Sequence, residues 1–592
     1  MQATNVSTGA STRASSNADG FYVLSNLAPG NYRLRVEKTG FQVSQQDGIV
    51  LQVDRPVTLN VTLQVGASTQ TVTVSADVDQ VNLRSQTVSY QVTPEMAREL
   101  PLNGRNILQL MSLAPDAGPT SSSGYQQGAS RPENANAYSG ASGGRGDSTT
   151  FYLDGGLNED ALTEVANIFP NPDAIQEFSF ETNNYSAKFG GRGGGVMNAV
   201  TKGGTNQLHG SAFEFVRNGK LNARNFFAPT QDGLKRNQYG MTVGGPIQKD
   251  KSFFFFSYQG TKLRVAPTTN TATTLTEAQR NGDYSAMKKQ LVNPDDGTPF
   301  PNNQIPQSLM DPIAQKILAM VPVGAPGTGL VFYPSRTVQN DSQYVVRGDH
   351  TFSDKLRVYA SYLFDELTAP STSIPNNVLT ATTDQRWRSQ TLVLNTTYTM
   401  RPNLLTNFTI SMSRRFNAYT GPPGFPGWPE LGANVPKMTD QGSKTSLRLS
   451  ISGYFGPGWN GYYTIPSTIG NVSDHWTWIK GNHSIEFGGE VEHSKVVKNQ
   501  DFLSDGNYTF NAQRSGDNGL DFLLGRPSVF SQQEPFYIVP VRTLPALYAM
   551  DTWKVNRRLT LSLGVRWNPF VPVKESAYHQ AGLFDLGLYN QG

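Results

Sequence analysis

Five glycines, at positions 190, 191, 193, 194 and 195, crowd the stretch "KFGGRGGGVMNAVTKGGTN" from Lys188 to Asn206. Density of this kind is one way to cradle a phosphate with backbone N–H groups. The cluster runs on into Val196 and Met197 instead of closing in Lys-Ser/Thr, and no strand-then-helix frame of the dinucleotide-binding kind flanks it, so tight backbone packing explains the glycines better. A second candidate is the trio Glu486, Glu490 and Glu492 in "HSIEFGGEVEH". Paired carboxylates do acid–base work, yet at a period of two on one strand these three share a face and are suited to hydrating a lumen. "RGDS", residues 145–148, matches a cell-adhesion tetrapeptide, but four common residue types inside a Gly/Ser loop coincide easily by chance. The chain has no cysteine and six scattered histidines, which removes thiolate chemistry and disulfides and leaves little room for a metal. No set of nucleophile, base and oxyanion donors assembles from these residues. The sequence reads as a non-enzyme with no catalytic residue, cofactor or metal site.

The elements that would position such residues are strands. Gly (57), Tyr (24) and Phe (31) are abundant, as strands separated by turns require. At 592 residues the chain is too long for one compact domain. Its 49 Lys+Arg against 46 Asp+Glu give a formal charge of +3 with no dense basic run, which argues against a nucleic-acid partner. No apolar stretch reaches the roughly 18 residues a membrane-crossing helix needs. The opening "MQATNVSTGAS" lacks the basic start and apolar centre of a signal peptide.

From about residue 207 the alternation becomes regular. "LTLSLGVRWN" sets Leu559, Leu561, Leu563, Val565 and Trp567 against Thr560, Ser562, Gly564, Arg566 and Asn568. "LRVYASYLFD" opposes Leu356, Val358, Ala360, Tyr362 and Phe364 to Arg357, Tyr359, Ser361 and Asp365. Eleven such strands are expected, near 207–217, 237–247, 252–262, 341–352, 356–366, 386–399, 404–415, 468–479, 483–494, 544–555 and 557–568. Tight turns ("QKDK", "SDK", "RPN", "KGN", "NRR") alternate with long connections at 219–236, 263–340, 367–385, 416–467 and 495–543. Short–long alternation of strands apolar on one face marks an outer-membrane β-barrel, with lipid outside and a polar lumen inside. The four phenylalanines of "DKSFFFFSYQG" then divide: Phe254, Phe256 and Tyr258 face lipid, and Phe253 and Phe255 face whatever fills the lumen.

Ahead of the barrel the pattern differs. Residues 1–75 alternate short strand-like runs with turns such as Asp19-Gly20 and Pro29-Gly30, and "VTLNVTLQVG" from Val57 alternates strictly, which predicts a small β-sandwich. Residues 76–205 predict an α+β unit, with a helix in "TPEMARELPLNGRNILQLMSLAP" that starts near Pro94 and breaks at Pro101. Strands follow at "TTFYLDGG" and "IQEFSFET", while "TSSSGYQQGASRPENANAYSGASGGRGDS" is too polar and glycine-rich to be more than loop.

Residues 173–215, "DAIQEFSFETNNYSAKFGGRGGGVMNAVTKGGTNQLHGSAFEF", resemble the plug–barrel junction of the TonB-dependent outer-membrane receptors. "ELPLNGRNILQL" and "FYLDGG" resemble earlier plug segments of the Oar-like subfamily, and residues 1–75 resemble its amino-terminal carboxypeptidase-regulatory-like (Ig/transthyretin-like) domain. The resemblance implies three domains, 1–75, 76–205 (plug) and 206–592 (barrel), in a cell outer membrane, with the first two periplasmic. It implies plug-motif roles for Asn103, Gly104, Arg105, Asp154, Gly155, Gly190, Gly191, Arg192, Gly194 and Gly195, with the glycine cluster packing the plug tightly against the barrel wall. It makes "STQTVTVSA" a candidate contact for TonB, with Thr71, Val72, Thr73 and Val74 pairing by strand addition, although the same residues also suit the last strand of the sandwich. Such barrels have about 22 strands, so eleven suggest half a barrel and a fragment lacking both ends. The implied function is TonB-driven uptake of a bulky, scarce solute (oligosaccharide, peptide or chelate), the alternative being an outer-membrane adhesion or interaction protein. Outer-membrane lipid and TonB are the implied partners.

Overall fold

The computed structural model describes all residues other than 17–19, 21, 25–26, 53–56, 67–70, 76–86, 120–138, 142–147, 225, 227–230, 232, 436–446, 460–461, 502, 557 and 578–592. The loop 120–138 and most of the RGDS tetrapeptide lie outside the described residues.

The amino-terminal part is one five-stranded sheet, β1 (Gln2–Asn5), β2 (Ser11–Arg13), β3 (Gly30–Val36), β4 (Val43–Leu51) and β5 (Thr71–Ser75), in the order β2-β1-β3-β4-β5. On β3 the residues Tyr32, Leu34 and Val36 are buried and those between them exposed, so period two places one face on a core. A second sheet was expected from Val57 onward, and here the structure differs: Val57, Leu59, Val61 and Leu63 do pack on that core, but the segment joins no hydrogen-bonded ladder. Alternation recorded which side chains turn inward; it did not require a neighbouring strand.

The next unit combines β6 (Val88–Val92), α1 (Pro94–Glu99), the paired segments β7 (Ala117–Pro119) and β8 (Ser139–Ala141), then β9 (Thr150–Leu153), β10 (Gly156–Leu157), β11 (Ile175–Asn183) and β12 (Val196–Thr201). Its main sheet runs β10-β9-β12-β11-β6. Helix α1 starts where expected because Thr93 accepts from Met96 N and Pro94 sits in its first turn; beyond Pro101 the chain continues as 3-10 turns, Asn103–Arg105 and Ile107–Leu113. Phe178, Phe180, Met111 and Ile175 fill the core, joined by Phe255, Val345 and Leu363 from the surrounding wall.

That wall follows in chain order: β13 (His209–Asn218), β14 (Leu234–Gln248), β15 (Ser252–Thr273), β16 (Leu330–Ser353), β17 (Leu356–Ala369), β18 (Asp384–Arg401) and β19 (Leu404–Thr420). The next connection carries β20 (Leu447–Ile451) and β21 (Gly458–Trp459) before β22 (Tyr463–Lys480) and β23 (His483–Val496). A last one carries β24 (Lys498–Gln500), β25 (Asn507–Phe510), β26 (Val529–Ser531) and β27 (Phe536–Ile538) before β28 (Pro540–Lys554) and β29 (Thr560–Trp567). The eleven long strands pair antiparallel along one path from β13 to β29. Each overlaps one of the eleven read from the sequence, and several run further, β15 to Thr273 and β16 from Leu330.

Phe253 and Phe255 are buried and turn inward, with Phe255 in the core of the enclosed unit, while Phe254, Phe256 and Tyr258 stay partly exposed. Outward aromatics form a row across four strands, Tyr239, Tyr258, Tyr344 and Phe364, with neighbouring centroids 5.0–6.3 Å apart. Phe352, Tyr398 and Trp553 are exposed near the tight turns. From Tyr344 to Phe352 is about 27 Å along β16, or about 21 Å of height at a tilt near 40°, close to the ~25 Å apolar band of a membrane barrel.

The long connections are not loose. Those after β15, β17, β19 and β23 share one apolar core containing Leu275, Leu291, Ile317, Trp428, Ile451 and Phe522. Helices α2 (Glu277–Arg280), α3 (Pro312–Leu318), α4 (Trp428–Leu431) and α5 (Asn518–Leu523), with a sheet in the order β21-β20-β25-β26, build this cap. Bonds cross between loops, Asp311 N to Leu523 O (2.9 Å) and Lys316 Nζ to Leu431 O (2.7 Å) among them.

At the tight-turn end the amino-terminal sheet rests on the barrel rim. Asn206 N donates to Ser7 O (2.9 Å), Asn206 Nδ2 to Asp250 Oδ1 (2.6 Å), and Arg357 to Ser11 O (2.6 Å). Gly9 has φ +72°, and a Cβ there would overlap the Asp250 carboxylate.

Candidate functional site: the interface between the enclosed unit and the wall

Four sets of ties hold the enclosed unit to the wall. The first is Asn103-Gly104-Arg105. Gly104 (φ +79°) and Arg105 (φ +57°) turn the chain so that the guanidinium enters the wall. Arg105 Nε donates to Gln259 Oε1 (3.1 Å), the group pairs with Asp173, and it lies 4.5 and 4.1 Å from the ring centres of Phe213 and Phe215. Arg217 (2.9 Å) and Arg236 (3.1 Å) donate to Asn103 Oδ1, and Gln238 donates to Gly104 O (3.1 Å). Three consecutive residues are thus tied to β13, β14 and β15.

The second set is Asp154-Gly155. Asp154, fully buried, accepts from Thr201 N (2.8 Å) and Thr201 Oγ1, and pairs with Arg347 of β16 at 3.1 Å. Arg347 is held in turn by Asp349 (2.8 Å) and lies 4.3 Å from the ring centre of Tyr359, whose hydroxyl donates to Asp154 O (2.8 Å). Buried charge is retained here because every charged group has a partner.

The third set, between residues 157 and 171, is mostly neutral. Leu157 N donates to Ser411 Oγ (3.2 Å), Thr391 Oγ1 to Asn158 Oδ1 (2.7 Å), and Asn167 Nδ2 to Ser413 Oγ (2.9 Å). Asn171 N donates to Gln343 Oε1 (2.6 Å) and its Nδ2 to Ser257 Oγ (3.0 Å). Asp160 accepts from Ser467 and faces Arg415 at 3.5 Å.

The fourth set is ionic. Within the unit Arg192 pairs with Glu159 at 2.7 Å; across the seam Glu164 pairs with Arg542 of β28 at 2.9 Å, and Glu492 of β23 stands 3.9 Å from Arg542. Arg566 of β29 pairs with Glu490 and donates to Lys188 O (2.6 Å). Complete burial pushes the Glu159 carboxyl up to about 8, against the pull of Arg192.

Of the expected site residues, Asn103, Gly104, Arg105, Asp154 and Gly190 therefore meet the wall at one interface. Glu490 and Glu492 point inward while Phe487 and Val491 between them are exposed on the other face, and Glu486 is half-buried. The glycine cluster needs a correction. Gly190 does pack on the wall, since a Cβ there would overlap Arg566, but Gly194 abuts Ser148 and Gly195 (φ +106°) abuts Glu181 O within the enclosed unit itself. Thr71–Ser75 lies apart from these ties, pairing parallel with β4 at the edge of the amino-terminal sheet. Sequence reasoning missed Leu157, Asn158, Asn167 and Asn171 and their respective partners Ser411, Thr391, Ser413 and Ser257; the signal was available as inward strand positions held by small hydroxyls.

A cavity of about 40 Å³ lies behind the first set, lined by Arg105, Asn171, Gln238, Gln259 and Gln343 among others. It has room for roughly three waters and polar partners for each. Among the described residues no group of three or more His, Asp or Glu side chains is placed to hold a metal.

Residues 200–592 match the family model described as outer membrane beta barrel domain. The chain belongs to that family. This outer-membrane barrel carries, at residues 2–64, a match to the carboxypeptidase regulatory-like domain. It is similar to the TonB-dependent transporter Oar of Myxococcus xanthus, 28% identical over 258 residues, which is 41% of this chain and 23% of that protein. Among solved structures it is similar to the outer membrane transporter YddB from Escherichia coli (12% identity, TM-score 0.48, covering 81% of this chain and 56% of that one). It is likewise similar to a ferric enterobactin receptor, PfeA, from Pseudomonas aeruginosa (11%, TM-score 0.48, 83% and 59%). The outer-membrane barrel thus spans under a quarter of Oar and somewhat over half of each of the two structures.

Proposed function

We propose that this chain is the amino-terminal domain (1–75), plug (76–205) and first half of the barrel (206–592) of a TonB-dependent transporter that imports a bulky solute across the outer membrane by energised displacement of its plug. The observation that carries the reading is the chemistry of the plug–wall interface. Beyond the apolar contacts of Phe255, Val345, Leu363 and Ile469, the ties are hydrogen bonds, ion pairs and the stacking of Arg105 and Arg347 on aromatic rings. Such bonds exchange for water at a net cost of about 0.5–1.5 kcal/mol each, so a plug held this way is firm at rest yet separable once the seam hydrates. An apolar interface of the same extent would not let go into a wet lumen.

TonB would act from the tight-turn side, the periplasmic one in this reading. Among the described residues the strand Thr71–Ser75 occupies a sheet edge, the position from which strand addition proceeds. A transporter, and not an enzyme, fits an interface in which each strong charge is spent on holding the plug. The substrate class stays open among oligosaccharide, peptide and chelate.

Pull-down of the full chain on a tagged TonB periplasmic domain tests the reading. Recovery that is abolished by Val72→Pro with Val74→Pro supports it. Absence of recovery from the unmodified chain refutes energised import and leaves a surface interaction platform. Growth of a deletion strain on a panel of glycans and iron chelates then assigns the solute.

A further inference from the structure

We propose that Arg105, presented by the Asn103-Gly104 turn, is a mechanical stop: a pull entering the plug from its amino-terminal side strips Val88–Leu100 and halts at Arg105, so that only part of the plug leaves the lumen. The inference rests on the energised-displacement reading above.

The two sides of the stop are built differently. Strand β6 is the edge of the plug sheet, and among the described residues its ladder runs to β11 alone, from Asn183↔Val88 to Phe178↔Val92. Helix α1 packs on β11 and on the turn Pro172–Ala174, within the plug. Loaded across its rungs, such a ladder opens one bond at a time, and the bonds of its register all lie within the unit. Asn103–Arg105 behaves otherwise, because its ties to Arg217, Arg236, Gln238 and Gln259 and to the rings of Phe213 and Phe215 converge on three residues and carry load together. The buried Asp173 pair braces the turn from behind, since the neighbouring Asn171 is itself tied to Ser257 and Gln343. Two successive residues at positive φ add a second, independent sign: a non-glycine residue such as Arg105 keeps that conformation only where its surroundings over-determine it.

The consequence is a size limit. If β9–β12 stay on the wall while β6 and α1 leave, the gap is one strand and one helix wide, about 15 Å in its longer dimension. That passes a solute slim in two dimensions, an extended peptide, a linear oligosaccharide or a small chelate, and excludes a folded protein.

The absence of cysteine from the chain makes the test clean. Ala97→Cys in α1 and Leu108→Cys just past the stop are both buried reporters in the native plug. In energised cells carrying the full protein, a membrane-impermeant maleimide should label Ala97→Cys at least roughly tenfold faster than in protonophore-treated cells, while Leu108→Cys stays protected. Adding Arg105→Ala should expose Leu108→Cys as well. Should Arg105→Ala fail to assemble, Gln238→Ala with Gln259→Ala cuts wall ties while keeping the Asp173 pair, and the same rise is expected. Equal labelling of both reporters with Arg105 intact overturns the stop and leaves plug displacement standing. Protection of Leu108→Cys after the clamp is cut overturns it too, and protection of both reporters in energised cells overturns stop and displacement together.

Discussion

Replacing Arg347 with alanine removes the ion pair to Asp154, a bond to Thr201 O and the contact with the Tyr359 ring in one step. Asp349 is 27% exposed and rehydrates, but Asp154 has no exposed side-chain surface and keeps only its Thr201 donors. Breaking a buried pair by deleting one partner costs about 3–5 kcal/mol, most of it from the charge left behind. If plug release is fast and reversible, the released population rises by the same free energy, roughly 150- to 5,000-fold. Limited proteolysis of plug peptides in detergent-solubilised protein reads this population as a rate, with barrel peptides as the internal control. Coupling provides a stricter check: in an Asp154→Asn background the stranded charge is gone, and the cost of Arg347→Ala should shrink by at least about 1 kcal/mol. An acceleration below about fivefold, or costs that simply add, would refute the claim that this pair bolts the plug to the wall.

Gly9→Val places a side chain into the Asp250 carboxylate at a backbone angle valine avoids; the amino-terminal domain should detach from the rim, measured as faster cleavage between residues 14 and 87 with no change in the barrel. Ile317→Ala hollows the cap core and should cost about 2–5 kcal/mol of cap stability, read as faster amide exchange in α3 and α5 while β15–β19 keep their protection. For Glu159 the folded value is raised from 4.5 to about 8, so its contribution is fully present below pH 4.5 and is lost as pH rises through about 8. Plug proteolysis should therefore quicken between pH 5 and pH 8, and Glu159→Gln should flatten that slope; a slope unchanged in the variant would assign the dependence elsewhere.

The wall was legible because burial on one face and lipid on the other impose a period of two over ten or more residues, as in Leu559–Trp567. Strand ends were not, because β15 and β16 continue beyond their ladders with β14 and β17 as a two-stranded ribbon, and there the alternation relaxes. The cap escaped notice altogether: Leu275, Ile317, Trp428 and Phe522 come from separate connections, and a core assembled from fragments has no period within any one of them. At the interface, Asn103-Gly104-Arg105 and Asp154-Gly155 stood out as motifs, but their partners are single inward residues on distant strands. Ser257, Thr391 and Ser413 look like any strand's polar face until the tertiary fold brings Asn171, Asn158 and Asn167 against them.

An odd tally has a geometric result. Antiparallel neighbours reverse direction at each step, so β13 and β29, first and last on a path of eleven, point the same way. Two rims with a common heading cannot zip to one another in this pattern, and a second molecule inserted with the same orientation would meet each rim head-on with a matching heading. A segment pairing antiparallel with both rims would therefore contain an odd number of strands.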